Sequence, residues 1–125
     1  LHGYGDALGI AFQIADDLLD YGGPEAAIGK NTGDDFRERK VTLPVIKAVA
    51  RATPEERDFW LRVIEKGDQR DGDLAEARRI MARHGATEAA RNEAMLWAGR
   101  AKAALDAAPA HPLRADLHDL ADYVV

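Results

Sequence analysis

The chain has 125 residues, 46% hydrophobic and 31% charged, which excludes a disordered tail and fits one soluble globular domain with a modest core. A net charge of -5 gives no footprint for nucleic acid, and the lack of cysteine excludes disulfides and thiolate metal sites while suiting a cytoplasmic protein. No apolar run approaches the roughly 20 residues of a membrane-spanning helix.

Taken in order, the elements read as all-α. The apolar spacing predicts a first helix over 4–21, closed by Gly22, Gly23 and Pro24. A polar loop follows over 22–41, with room for one helical turn near 33–38. A second helix begins after Thr42, with Pro44 in its first turn. "TPEE" is a capping box, Thr53 with Glu56, opening a third helix that runs to about Lys66 and stops at Gly67. A fourth places Leu74, Ala77, Met81 and His84 on one face before Gly85. The fifth, from Thr87 to about Ala107, carries Ala90, Ala94, Trp97, Ala98, Ala101 and Leu105 at core spacing. Pro109 and Pro112 separate it from a last helix with Leu113, Leu117, Leu120, Ala121 and Val124. Trp60 and Trp97 read as core anchors, and His84 as a helix-end or partly buried residue. His2, His111 and His118 lack zinc spacing. The chain opens at Leu1 with a helix under way and stops inside "LADYVV", the expectation for a piece of a longer protein.

The first helix holds the chemistry. In "AFQIADDLLDY", Gln13, Asp16, Asp17 and Asp20 fall within an arc of about 100° on an otherwise apolar helix. Three carboxylates so close repel one another, and a hard divalent ion such as Mg²⁺ relieves the repulsion. The downstream loop, "GKNTGDDFRERKVTLP", adds Lys30, Asp35 and Lys40. Cations beside a metal-loaded acidic stripe suit a strongly anionic ligand such as a diphosphate. The rival reading is a helical interaction module with an incidental acidic stripe.

"LGIAFQIADDLLDY" followed by "GKNTGDDFRERKVTLP" resembles the second aspartate-rich region of the trans-polyprenyl diphosphate synthases, matching continuously over residues 5–46. The family pattern is roughly FQ-x-x-DD-x-x-D, then GK-x-x-G-x-D, then K-x-T-L-P. The "TLP" ending and "LADYVV" resemble the bacterial long-chain, octaprenyl- and decaprenyl-type enzymes that make quinone side chains. The resemblance implies residues 1–125 are one helical region, the C-terminal part of an isoprenoid-synthase-type bundle around a central cavity. It implies a Mg²⁺-dependent prenyltransferase that condenses isopentenyl diphosphate with an allylic diphosphate, from a homodimeric cytoplasmic parent. Asp16 is then the principal metal ligand on the helix, and Asp17, Asp20 and Asp35 act through metal-bound water or support the site. Lys30 and Lys40 bind diphosphate, and Gln13 lies beside the substrate. No residue is assigned as acid or base.

Two departures stand out. Arg39 occupies a position where the family commonly has glycine, which bears on the turn presenting Lys40. The first aspartate-rich motif and the arginines that bind isopentenyl diphosphate do not occur in these residues, so the chain carries half a metal site and alone should be inert. A non-catalytic family subunit would be expected to have lost aspartates that this chain keeps. Without partner helices, Ile10, Phe12, Ile14, Leu18 and Leu19 cannot all be covered.

Overall fold

The computed structural model describes residues 2–21, 33–107 and 112–125, and no strand occurs among them. The helices are α1 (His2–Leu19), α2 (Asp34–Arg37), α3 (Leu43–Ala50), α4 (Pro54–Trp60), α5 (Asp73–Arg83), α6 (Ala86–Ala107) and α7 (Arg114–Tyr123). α4 continues into a π-helical segment, Leu61–Glu65. The expected all-α class holds. So does the short helical turn in the loop, which is α2. The chain divides into two compact units, residues 1–16 with 91–125, and residues 17–90.

In the first unit, residues of α1, α6 and α7 share a core of Tyr4, Ala7, Ala101, Leu105 and Ala121, with Leu8, Trp97, Ala104 and Leu117 packed on it. Alanine at 94, 98 and 101 follows one helical face, and all three are buried. Small side chains at that seam let helix axes approach closely. The Tyr4 hydroxyl donates to the Leu117 carbonyl at 2.9 Å, so its polar tip is satisfied where its ring is buried. Trp97 is only partly buried, with the Arg100 guanidinium 4.3 Å from its ring centroid.

The second unit packs Tyr21, Phe36, Val45, Ala48, Trp60, Val63, Ala77, Ile80, Met81 and Ala86 into a second core. Its helices start where side-chain chemistry says they should. Thr53 and Glu56 form the capping box in full, each side chain meeting the other's backbone N–H, with Pro54 in the first turn. Glu56 is buried, and its carboxylate also accepts from Arg83 Nη1 at 2.6 Å and lies 2.7 Å from His84 Nε2. An ionised carboxylate only accepts, so the hydrogen sits on His84 Nε2. His84 is thus the cap residue of α5 and ties that helix end to the start of α4.

One expectation changes. α1 ends at Leu19, because Asp20 and Tyr21 turn away with 3₁₀-type bonds from Asp20 N–H to Asp17 O and from Tyr21 N–H to Leu18 O. The apolar positions of α1 are unevenly covered. Ile14 and Leu18 are covered, but Ile10, Phe12 and Leu19 are 39%, 57% and 45% exposed. The expectation that this apolar face could not all be covered holds.

Candidate metal and diphosphate site

The loop between α1 and α3 is built around Asp20. α2 has four residues and begins after Gly33, whose φ of 89° suits glycine and whose missing side chain offers no cap. Its free N–H groups are satisfied from another element instead. Asp20 Oδ1 accepts from Asp35 N–H at 3.1 Å, and Oδ2 accepts from Phe36 N–H at 3.2 Å. Asp20 is buried, and its negative charge at the N-terminal end of α2 complements the helix dipole. One carboxylate thereby fixes the segment that carries Asp35.

Lys40 completes that segment. Its backbone N–H donates to the Asp35 carbonyl at 2.9 Å, and its Nζ lies 3.4 Å from Asp35 Oδ1 and 3.2 Å from Glu38 Oε2. Glu38, then Asp35, holds the Lys40 pKa above the usual lysine range. An expected cation and an expected acid are therefore in contact. Glu38, which the sequence pattern did not single out, shares the cation.

Tyr21 feels the charge of the same acids. It is buried, and among the described residues its hydroxyl has no hydrogen-bond partner. Burial first, then the charges of Asp20, Asp35 and Asp17, pushes its pKa well above the ordinary 10. Those three carboxylates thus act on one point in the second unit. Gln13 and Asp16 are exposed and precede them along α1, and Asp17 is half-buried. Lys30 lies outside the described residues. Among the described residues no group of three or more His, Asp or Glu is gathered closely enough to hold a metal ion.

The donor set is carboxylate oxygen throughout, which fits a hard divalent cation. Asp16 and Asp17 sit side by side near the end of α1, and the Asp35 side chain keeps 20% exposure. Asp20 fits least well as a ligand, since each of its oxygens already accepts a backbone N–H. A cavity of about 800 Å³ also opens in the second unit, lined by Arg39, Val41, Val45, Trp60 and Leu61 among others. It is lined by none of the expected site residues and is largely apolar, so it does not suit a metal ion.

A family model described as polyprenyl synthetase matches residues 1–81. The chain belongs to the polyprenyl synthetase family. It is 41% identical over its whole length to the octaprenyl diphosphate synthase of Escherichia coli, and 38% identical to the short chain isoprenyl diphosphate synthase of Methanothermobacter thermautotrophicus. The chain spans about 38% of the length of each of these relatives. A crystal structure of decaprenyl diphosphate synthase from Rhodobacter capsulatus is 67% identical and superposes with a TM-score of 0.90, over 98% of this chain and 38% of that one. A polyprenyl synthase from Caulobacter crescentus, solved with calcium and isoprenyl diphosphate, is 48% identical with a TM-score of 0.87, over 98% of this chain and 37% of that one.

For a polyprenyl synthetase the Arg39 departure now has a structural answer. Arg39 has φ 63°, a left-handed conformation that glycine adopts freely and arginine adopts at a cost on the order of 1 kcal/mol. The turn before Lys40 takes this left-handed form in the present chain, and the arginine side chain is put to use. Its Nε donates to the Ile64 carbonyl at 2.8 Å and its Nη2 to the Glu65 carbonyl. Gln69 Nε2 donates to both Phe36 O at 2.7 Å and Val63 O at 3.0 Å. Neither contact was foreseeable from spacing. Only the missing glycine at position 39 hinted that something compensates. Among the described residues no helix is long and apolar enough to cross a membrane.

Proposed function

We propose that this chain supplies the second acidic wall of a Mg²⁺-dependent prenyl transfer site. The parent enzyme condenses isopentenyl diphosphate with an allylic diphosphate, as a cytoplasmic homodimer making the polyprenyl side chain of a quinone. Residues 1–125 form the C-terminal part of its synthase domain. The observation that carries this reading is the Asp35–Lys40 contact, held by Asp20 directly after the acidic end of α1. Acid and cation side by side are what a metal–diphosphate ligand needs, since one side of it is positive and the other negative.

Each residue then has a task. Asp16 would be the principal Mg²⁺ ligand on the helix, with Asp17 and, from the loop, Asp35 contributing through metal-bound water. Bound Mg²⁺ neutralises charge on the diphosphate and makes it a better leaving group. Lys40 gives up its contacts with Asp35 and Glu38 to meet the outer phosphate oxygens, and Lys30 is assigned the same role. Gln13 lies one turn back along α1, toward the substrate. Asp20 contributes by holding the loop.

The test uses the complete parent protein. Asp16→Ala is expected to reduce prenyl transfer far more than Glu55→Ala, a change at an exposed acid of α4. Equal losses at both positions would remove the metal assignment.

A further inference from the structure

An α-helix leaves its last four carbonyls without partners inside the helix, and a π-helical ending leaves five. Here Lys66 N–H reaches back to Leu61 O at 2.9 Å and Asp68 N–H to Arg62 O at 3.0 Å. The next three carbonyls in order, Val63, Ile64 and Glu65, are met by side chains: Gln69 on the first, Arg39 on the second and third. Gln69 uses the same amide nitrogen to hold Phe36 O of α2. Both side chains therefore join the π-helical end to the loop bearing Asp35 and Lys40. A guanidinium is well matched to this task, because its N–H groups form a rigid planar fork that can meet two carbonyls at once, and the carbonyl end of a helix is negative. Gly67, at φ 70°, passes beside that guanidinium, and a Cβ there would sit 3.0 Å from its carbon and two of its nitrogens.

We propose that Arg39 is a positioning residue for Lys40: by seating its guanidinium on the π-helical carbonyls Ile64 and Glu65, it fixes the left-handed turn from which the Lys40 ammonium reaches diphosphate. The proposal rests on the diphosphate reading of Lys40 given above and adds a residue that does not itself touch the ligand. Asp20 grips the front of the loop through the N–H groups of Asp35 and Phe36, and Arg39 grips its back. Lys40 Nζ in turn keeps 57% side-chain exposure, so the ammonium is free to exchange Glu38 and Asp35 for a stronger anion while its backbone stays still.

Arg39→Gly separates the side chain from the backbone, since glycine takes a φ of 63° without strain. If the guanidinium did nothing for the turn, this substitution would tighten the loop or leave it unchanged. The first measurement is backbone amide hydrogen exchange on the full chain. Exchange at Lys40, whose N–H is bonded to Asp35 O, should rise on the order of tenfold in Arg39→Gly, while amides of α5 and α6 stay unchanged. The second is Mg²⁺-dependent binding of inorganic diphosphate to the complete parent protein by calorimetry, for Arg39→Gly, Lys40→Ala and the double variant. Arg39→Gly should weaken binding on the order of tenfold, the range seen when an outer partner of a binding group is lost. The double variant should be no weaker than Lys40→Ala alone, because both changes remove the same contact. Arg39→Lys should recover little, as an ammonium cannot span two carbonyls with the same geometry. Unchanged exchange at Lys40 would overturn the clamp. Raised exchange with additive losses in the double variant would overturn its service to Lys40. If Lys40→Ala leaves diphosphate binding unaltered, the diphosphate reading itself falls, and the positioning role falls with it.

Discussion

Removing the Asp20 carboxylate tests whether it holds the loop or chiefly adds to a cluster of repelling acids. In Asp20→Ala, the N–H groups of Asp35 and Phe36 lose charged acceptors at 3.1 and 3.2 Å. A hydrogen bond to a charged group contributes about 1.5–3 kcal/mol, and a buried donor left bare costs a similar amount. Phe36 is 2% exposed, so its N–H has little recourse to water, whereas Asp35 is half-buried and recovers part of its loss. The net cost should be roughly 3 kcal/mol, a large fraction of the 5–15 kcal/mol typical of a domain. With an unfolding entropy near 2.1 cal/mol/K per residue, that lowers the melting temperature of a 125-residue chain on the order of 10 °C. Asp20→Asn keeps one oxygen but turns an NH₂ toward the other N–H, and should lose at least half as much. Glu55→Ala, a change at an exposed acid of α4, should stay within about 0.5 kcal/mol. Metal-free chemical denaturation followed by circular dichroism reads all three. If relief of repulsion dominated, Asp20→Ala would be more stable than the wild type, and that sign would refute the cap.

Three further outcomes follow from the same contacts. Glu56 has its pKa lowered to about 2, by the Thr53 N–H first and then by His84 and Arg83. A lowered carboxylate contributes stability that is fully present above its ordinary value of 4.5 and is lost as pH falls toward 2, so the melting curves of wild type and Glu56→Gln should converge across that window; a constant gap would refute the linkage. Tyr21→Phe removes a buried hydroxyl without a partner and should leave stability unchanged or higher, so a loss above about 1 kcal/mol would show that the hydroxyl is paired. The isolated chain should self-associate through the exposed Ile10, Phe12 and Leu19 of α1, and sedimentation as a monomer at all concentrations would refute that expectation.

Helices announced by periodicity and caps were readable from residue order. The capping box at Thr53 and Glu56, Pro44 in the first turn of α3, and the alanine seam of α6 are local patterns, and the structure reproduces each of them. The ends of elements were less so. Leu61–Glu65 widens into a π-helix whose carbonyls are met by Arg39 and Gln69, partners 25 or 26 residues upstream for Arg39 and 6 downstream for Gln69. Spacing cannot reveal a turn that depends on such distant donors. The acids Asp17 and Asp20 were found because carboxylates on an apolar helix are conspicuous, and Asp35 because it falls in the loop pattern that follows them. Their division of labour was not: all three have the same chemistry, and only the direction of two backbone N–H groups turns Asp20 into a cap.

The central claim is that the end of α1 and the Asp35–Lys40 loop together hold a divalent cation and a diphosphate. Mn²⁺, a paramagnetic substitute for Mg²⁺, tests it directly when titrated into the ¹⁵N-labelled full chain with inorganic diphosphate. Amide signals of residues 13–20 and 33–41 should broaden first and together, and Lys40→Ala should weaken that response. Broadening that begins at Glu55, Asp58 or Asp71, exposed acids far from the stripe in sequence, or that ignores diphosphate altogether, would contradict the claim.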